Sequence, residues 1–313
     1  MRLGVIGTGG IARRHVESLA GEPLEFVFLA TSAEKAETFA REFGGQGFSD
    51  LDAFVRDGRP DAVIIAIPPH RHGVIEDRLI ADGIPFLIEK PLSADRMMAE
   101  TVADRLANAN LVVAVGYHWR ALDTLPVVRA ALAGRKPRLI SGRFHVGLPR
   151  ASWWSRQQQS GGQFNEQACH LVDLARHTAG EATMLYATGT AFPRIDNPTA
   201  DVLPVAAAVL RFQDGALGVF SAVNILTRPG PVELEIVAEG IDIRISLAET
   251  TISDAAGVTR HVTRANPYRT QNLAFLAAAA CGNRHGVFCT YEDALATHRL
   301  CQDITASALA AGG

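Results

Sequence analysis

The chain has 313 residues, more than one hydrophobic core usually fills, so two domains are expected. Hydrophobic residues make up 48% of it and charged residues 20%, the composition of a globular protein with a sizeable core. Lys and Arg number 30 against 33 Asp and Glu, a net charge of -3 without a basic block, which argues against nucleic acid or an anionic membrane as partner and leaves a small molecule as the default ligand.

The four cysteines, Cys169, Cys281, Cys289 and Cys301, include no CxxC pair. That spacing predicts neither a zinc site nor a disulfide framework, and reduced thiols in the cytoplasm are expected. No metal site is predicted. No signal peptide fits, because Met1 to Gly7 runs straight into a motif, and no apolar run reaches the roughly 20 residues that span a bilayer.

From residue 2 to about 118, short apolar strands alternate with helices. Strands are predicted at 3–6, 24–30, 61–67, in the run Phe86-Leu-Ile, and at 111–115. Helices are predicted at 11–20, 33–43, 51–56, 74–81 and 94–108. Strands of continuous apolar residues between helices imply a parallel, doubly wound α/β sheet, the form of a nucleotide-binding domain. After Gly116 the pattern changes. A helical stretch at 125–132 leads to a strand at 139–146, a polar Gly-rich loop at 155–162 and a helix at 165–178. Strands then follow one another at 184–190, 205–212, 217–225, 232–238, 242–247 and 258–263, with Gln213-Asp214-Gly215 as a hairpin turn, and helices at 271–280 and 292–311 end the chain. This is the pattern of an α+β domain with a largely antiparallel sheet. Domains are therefore expected at 1–118, for a dinucleotide, and at 119–313, a second α+β domain; substrate binding and oligomerisation by the latter are what the family resemblance given below implies.

Gly7-Thr8-Gly9-Gly10-Ile11-Ala12 fits G-x-G-x-x-[G/A] between the first strand and first helix. The first glycine permits the turn, the second lets backbone approach a pyrophosphate, the small third residue lets helix and strand pack, and the helix N-terminus favours the anion. The end of the second strand reads Leu29-Ala30-Thr31-Ser32, with no acid before Glu34. An acid there would bind the ribose 2′-hydroxyl of NAD and repel a 2′-phosphate, so its absence predicts NADP, with NAD as the alternative. Thr31 and Ser32 are placed to donate to the phosphate, with Lys35 or Arg13 adding charge; Ser32 is also placed to cap the next helix. Pro68-Pro69-His70-Arg71-His72 follows the third of these strands. His70 reads as loop-shaping, and His72 either opens the next helix or lines the cofactor site.

Glu89-Lys90-Pro91 stands at the carboxyl end of its strand, the edge where such sheets bind ligands. Pro91 restricts Lys90 to extended backbone and so gives its ammonium a direction. Glu89 is placed to pair with a backbone or ribose group. In the second domain Gly161-Gly162-Gln163-Phe164-Asn165-Glu166-Gln167-Ala168-Cys169-His170 continues to Asp173. On a helix, Glu166, His170 and Asp173 share a face, and a carboxylate one turn from an imidazole orients it for proton exchange. A structural histidine satisfied by a helical acid fits that spacing equally. Tyr117, Trp119, Trp153 and Trp154 suit either a sugar ring or the core, and Arg120 and Arg156 suit a phosphate or carboxylate.

Taken together, these motifs resemble the Gfo/Idh/MocA family of NAD(P)-dependent oxidoreductases. The resemblance rests on the glycine turn with His15 after it, Pro68 to His72, Glu89-Lys90-Pro91-Leu92, Val115 to Arg120, Gly161-Gly162 through His170 and Asp173, and Tyr291-Glu-Asp-Ala. It implies a Rossmann domain and a second domain whose open sheet mediates a homodimer or homotetramer. It also implies a small-molecule substrate that is a sugar, cyclitol or related polyol. The family's catalytic lysine falls on Lys90 and its histidine on His170, while its usual aspartate is here Glu166, one methylene longer. Gly7, Thr8, Gly9, Gly10, Ile11, Thr31, Ser32, Pro68, His72, Glu89 and Lys90 are expected to hold the cofactor, and Tyr117, Arg120, Trp154 and Asp173 the substrate. A catalytically silent NAD(P)-binding regulator and a reductase of a non-sugar carbonyl or imine are the alternatives.

Overall fold

The computed structural model describes residues 1–312. The chain forms two compact units, neither of them one continuous stretch: residues 1–93, 97–121 and 266–295 make the first, and 94–96, 122–265 and the residues from Ala296 on make the second.

The first unit is built on six parallel strands, β1 (Arg2–Ile6), β2 (Glu25–Leu29), β3 (Gln46–Phe48), β4 (Ala62–Ile65), β5 (Phe86–Ile88) and β6 (Val113–Val115). Their order is β3-β2-β1-β4-β5-β6, the doubly wound arrangement of dinucleotide-binding domains. The strands are short and apolar because helices cover both faces; β4 and β5 are wholly buried along their length. The crossover helices are α1 (Gly10–Ser18), α2 (Ala33–Phe43), α3 (Leu51–Arg56), α4 (Val74–Ala81) and α5 (Arg96–Ala107). Ser32 and Asp50 cap α2 and α3 by accepting from the N–H groups of Lys35 and Ala53, each cap worth about 1 kcal/mol.

In the second unit α6 (Leu125–Leu132) precedes β7 (Pro137–His145), and α7 (Gln157–Ser160) leads to a π-helical turn, Phe164–Ala168, that runs into α8 (Cys169–Ala179). Then come β8 (Ala182–Thr190), β9 (Val205–Phe212), β10 (Leu217–Val223), β11 (Val232–Ala238), β12 (Ile241–Ile245), β13 (Glu249–Asp254) and β14 (Gly257–Val262). The eight strands are ordered β14-β13-β12-β11-β7-β10-β9-β8. Only β7 and β10 run parallel; the other pairs are antiparallel. Period-two burial gives the sheet one covered face: Ala206, Ala208, Leu210 and Phe212 of β9 are buried, and the residues between them are more exposed. The β9–β10 turn is the expected hairpin, with Gly215 alone of the turn at positive φ, +89°.

Two last helices, α9 (Pro267–Cys281) and α10 (Tyr291–Ala311), complete the chain. Asn266 caps α9 by accepting from Tyr268 N–H at 3.0 Å, and Phe275, Leu276 and Ala278 enter the core made by β1, β2, α1 and α2. Each large side chain buried there contributes roughly 1.5–3 kcal/mol, enough to hold the returning segment in the first unit.

The structure departs locally from the sequence reading. The strands β3 and β13 were not expected, because Gln46-Gly-Phe has a glycine centre and Glu249-Thr-Thr-Ile-Ser-Asp is polar. Thr250 of β13 is nonetheless fully buried, its hydroxyl donating to that of Thr124 at 2.8 Å. The helix expected at 165–178 opens as a π turn, and α7 occupies part of the expected loop.

Candidate functional site

The glycine turn between β1 and α1 lies at the carboxyl end of the central strand, where the strand order reverses. Gly7 has φ +106°, and a Cβ there would stand 2.2 Å from the carbonyl oxygen of Ala66, so no side chain fits. Above Gly9 and Gly10 the space is open, since a Cβ at either would meet nothing within 4 Å. No side chain caps α1 and no acid stands in its first turn, so its leading N–H groups meet no competing carboxylate from the helix itself. Ala12 is fully buried where helix meets sheet. This cradle fits the pyrophosphate of a dinucleotide.

At the end of β2, Thr31 is exposed and Ser32 is the N-cap of α2, accepting from Lys35 N–H at 3.4 Å. An accepting hydroxyl keeps its own O–H to donate, so capping and phosphate binding are compatible. Arg13 pairs with Glu42 on α2 and lies over the rings of Phe39 and Phe43, 5.5 and 5.0 Å from their centroids. In the third loop Pro68 is partly buried, and the His72 ring is buried with Nδ1 2.6 Å from Glu76 Oε1. The other oxygen of Glu76 accepts from Gly73 N–H at 2.5 Å, which closes the start of α4. Burial works to raise the Glu76 carboxyl, but the charge and hydrogen bond of His72, with the Gly73 N–H, outweigh it and hold it low.

Lys90 follows β5 and is partly exposed, and its bond to Pro91 is cis. Glu89 beside it is 5% exposed and faces α1 rather than water, its Oε1 2.9 Å from Nε2 of His15. Burial works against the Glu89 charge. The hydrogen bond and charge of His15, helped by the charges of Lys90 and His118, nevertheless hold the carboxyl below its usual range. Gly116, at the end of β6, is the wall on which this carboxylate rests: a Cβ there would come within 2.5 Å of Glu89 Oε1.

Tyr117, Trp119 and Arg120 are all nearly fully buried in the first unit. Arg120 pairs with Asp293 and donates to the carbonyl of Phe288 at 3.4 Å, so its observed contacts tie down the returning chain. His118, between them, stacks on Tyr268 with centroids 4.3 Å apart.

In the second unit the π turn carries Glu166 and ends just before His170, which is 7% exposed in the first turn of α8. Single π turns inside helices occur often at functional sites. Gly161 and Gly162 precede the turn at φ +76° and +83°, and a Cβ on Gly161 would lie 2.3 Å from Asn165 Nδ2. Gln163 anchors the turn to the strand ends, its amide donating to the carbonyls of Val223 at 2.8 Å and Phe144 at 3.3 Å. Trp154 is 2% exposed and its indole N–H donates to Glu166 Oε2 at 2.7 Å. Asp173, fully buried, accepts from the hydroxyl of Thr297 at 2.9 Å, which in turn accepts from Arg176.

Lys90, Glu89 and the glycine turn thus belong to the first unit, and Glu166, His170, Trp154 and Asp173 to the second. Sequence reasoning did not single out Asn272 or Tyr268, and it gave Gln163 no role of its own within the motif. It noted His15 without a role, although His15 falls with Ala12, Val16 and Leu19 on the buried stripe of α1, where a polar residue requires a partner. A cleft of about 760 Å³ also opens in the first unit among Arg2, Val16, Glu22, Phe26, Phe43 and Gln46. It lies at the amino ends of β1 to β3, the wrong edge for a cofactor on a parallel sheet.

Residues 1–117 match the profile of the oxidoreductase family with an NAD-binding Rossmann fold, and 133–243 match the GFO/IDH/MocA C-terminal domain, between them more than half of the chain. The chain belongs to the Gfo/Idh/MocA family. Among its relatives, a myo-inositol dehydrogenase of Streptomyces leeuwenhoekii is 27% identical over 309 residues, covering 94% of this chain and 93% of its own. The fold matches that of levoglucosan dehydrogenase in complex with NADH and levoglucosan, with TM-score 0.89, 20% identity, and coverage of 100% and 98% of the two chains. It also matches a 3-ketoreductase from Actinomadura kijaniata in complex with NADP and TDP-benzene, with TM-score 0.84, 19% identity, and coverage of 98% and 97%. The first domain of this Gfo/Idh/MocA protein is an NAD(P)-binding Rossmann domain. Among the described residues, no helix is long and apolar enough to cross a membrane.

Proposed function

We propose that the chain is an NAD(P)-dependent dehydrogenase or reductase acting on a CH–OH group of a sugar, cyclitol or related polyol. When bound, the nicotinamide accepts or supplies the hydride. The observation that carries the reading is Lys90, held after a buried Glu89 on the same sheet edge as an open, uncapped phosphate turn.

His170, oriented with the help of Glu166, is assigned the exchange of a substrate hydroxyl proton, and Lys90 the stabilisation of charge that develops as the hydride moves. Gly7, Thr8, Gly9, Gly10 and Ile11 bind the pyrophosphate, with Thr31 and Ser32 at the adenosine ribose. The lack of a carboxylate before Glu34 favours NADP over NAD. Tyr117, Arg120, Trp154 and Asp173 enter this reading as supports of the site rather than as its exposed surface, since all four are buried.

A homodimer or homotetramer through the face of the large sheet is supported by exposed apolar side chains there. Tyr186 and Val219, 59% and 46% exposed, flank Val209 across three paired strands.

A screen of sugars and polyols with each nicotinamide cofactor tests the function. Lys90→Ala and His170→Ala should each lower kcat by roughly 10²- to 10⁴-fold with cofactor affinity little changed. Unchanged turnover in both variants refutes the assignment, and cofactor binding with no turnover on any substrate favours a regulator. A strong kcat/KM preference for NAD refutes the cofactor reading.

A further inference from the structure

Four buried side chains of the first unit form one directed hydrogen-bond chain. The hydroxyl of Ser18 donates to the backbone carbonyl of His15 at 2.7 Å, which uses its single proton. Its oxygen can then only accept from Asn272, so the amide nitrogen of Asn272 faces Ser18, at 2.9 Å. The amide oxygen of Asn272 consequently faces His15, 2.9 Å from Nδ1, and that ring nitrogen must carry a proton. The other ring nitrogen, Nε2, stands 2.9 Å from Glu89 Oε1. A contact between a ring nitrogen and a carboxylate oxygen also needs a proton, so the His15–Glu89 pair holds one more than a neutral ring and an ionised acid would supply. His15 and Asn272 are fully buried and Glu89 is 5% exposed, so no water is needed to explain the count.

We infer that His15 is a positioning residue: as a doubly protonated imidazolium braced by Asn272, it pins the ionised Glu89 against Gly116 and so sets the place and field of Lys90. The low-lying carboxyl of Glu89 agrees with the ionised form. The groups facing Glu89 are His15 from α1, Lys90 next along the chain, His118 after β6, and Tyr268 from α9. Tyr268 also holds the edge of the His15 ring, with centroids 5.3 Å apart and planes at 85°. With His15 gone, Lys90 becomes the cation that Glu89 attracts, and its ammonium is drawn from the substrate oxygen toward the carboxylate. That consequence rests on the catalytic role proposed for Lys90, whereas the proton count does not.

The first test is nitrogen NMR of the cofactor-free protein with labelled histidine, the His15 signals being those lost in His15→Asn. Both ring nitrogens should be protonated at neutral pH, and Glu89→Gln should leave His15 with one. A singly protonated His15 ring in the parent protein at neutral pH overturns the inference, whatever the activity. The second test is kinetic. His15→Phe removes the partner of the carboxylate, Asn272→Leu removes the brace of that partner and Gly116→Ala crowds the opposing wall, and each should lower kcat roughly 10- to 100-fold while KM and cofactor affinity move little. His15→Phe combined with Glu89→Gln should lose no more than the worse single variant. Additive losses, or an equal fall in cofactor affinity, mean a structural role only and overturn the positioning. If no substrate is turned over, the function proposed above fails while the NMR result still decides the proton.

Discussion

His118 is a buried imidazole whose titration should be visible as acid lability of the first unit. Burial drives its pKa down from 6.5 to about 4; the opposing charge of Glu89 does not compensate, and Lys90 and His15 push the same way as burial. Between these values the unfolded chain holds a proton that the folded chain lacks, so stability is fully present above pH 6.5 and is lost as pH falls toward 4. At about 1.4 kcal/mol per pKa unit, the whole window is worth roughly 3 kcal/mol, and about 2 kcal/mol of it is gone by about pH 5. Buried carboxylates such as Glu89 and Glu76, held low, add their own losses only at still lower pH. His118→Phe keeps a ring against Tyr268 and removes the titration. Urea unfolding of both proteins at about pH 7.5 and about pH 5 isolates the term: the parent should lose about 2 kcal/mol more than the variant on acidification. Equal losses in the two proteins would show that the His118 pKa is not depressed, and the burial argument would fail.

The remaining predictions concern the other contacts of the site. Trp154→Phe keeps the ring but removes the donor to Glu166, a bond to a charged group worth roughly 1.5–3 kcal/mol. The kcat should fall about tenfold with cofactor affinity unchanged, and an unaltered pH–rate profile and kcat would sink the role given to Trp154. Gly7→Ala forces a methyl onto the Ala66 carbonyl at a positive φ, with strain of about 1–3 kcal/mol. Nicotinamide fluorescence titration should show cofactor affinity reduced more than tenfold, and retained affinity would contradict the phosphate-turn assignment. Val219→Asp places a charge in the exposed apolar row of the large sheet and should yield a monomer by light scattering; an unchanged oligomer would exclude this face as the interface.

The parallel sheet was legible because its strands are buried on both faces, so apolar runs such as Ala62 to Ile65 announce themselves. The antiparallel sheet was legible where alternation is apolar, as in β9, and hidden where it is polar, as in β13. Thr250 fills an inward position there through a hydroxyl partner 126 residues earlier in the chain, a pairing no local pattern records. The same limit governed the site. Glycines, Lys90 and His170 sit in motifs whose spacing is local. The contacts that brace Glu89, next to Lys90, are not local: Asn272 lies 257 residues from His15, and His15 lies 74 residues from Glu89. Helical periodicity placed Glu166 and His170 one turn apart but could not show that the turn is π-helical, which depends on how Gly161, Gly162 and Gln163 enter it.

The two halves of the proposed chemistry share one physical device. In each unit a carboxylate lies close in sequence to the group assigned to the reaction, and in each it is gripped by a donor fixed on a different element. His15 of α1 holds Glu89, and Trp154, from the turn before α7, holds Glu166. A carboxylate in water would reorient as charge moves nearby and so screen it. One whose oxygen is already committed to a buried donor cannot, and its field is in place before the reaction begins. The extra methylene of Glu166 adds a rotatable bond that would blur the field of the carboxylate, and the Trp154 indole restrains that freedom. Glu166 and Trp154 should therefore be read as one unit, and a shorter acid at 166 would need a donor reaching farther than Trp154 does.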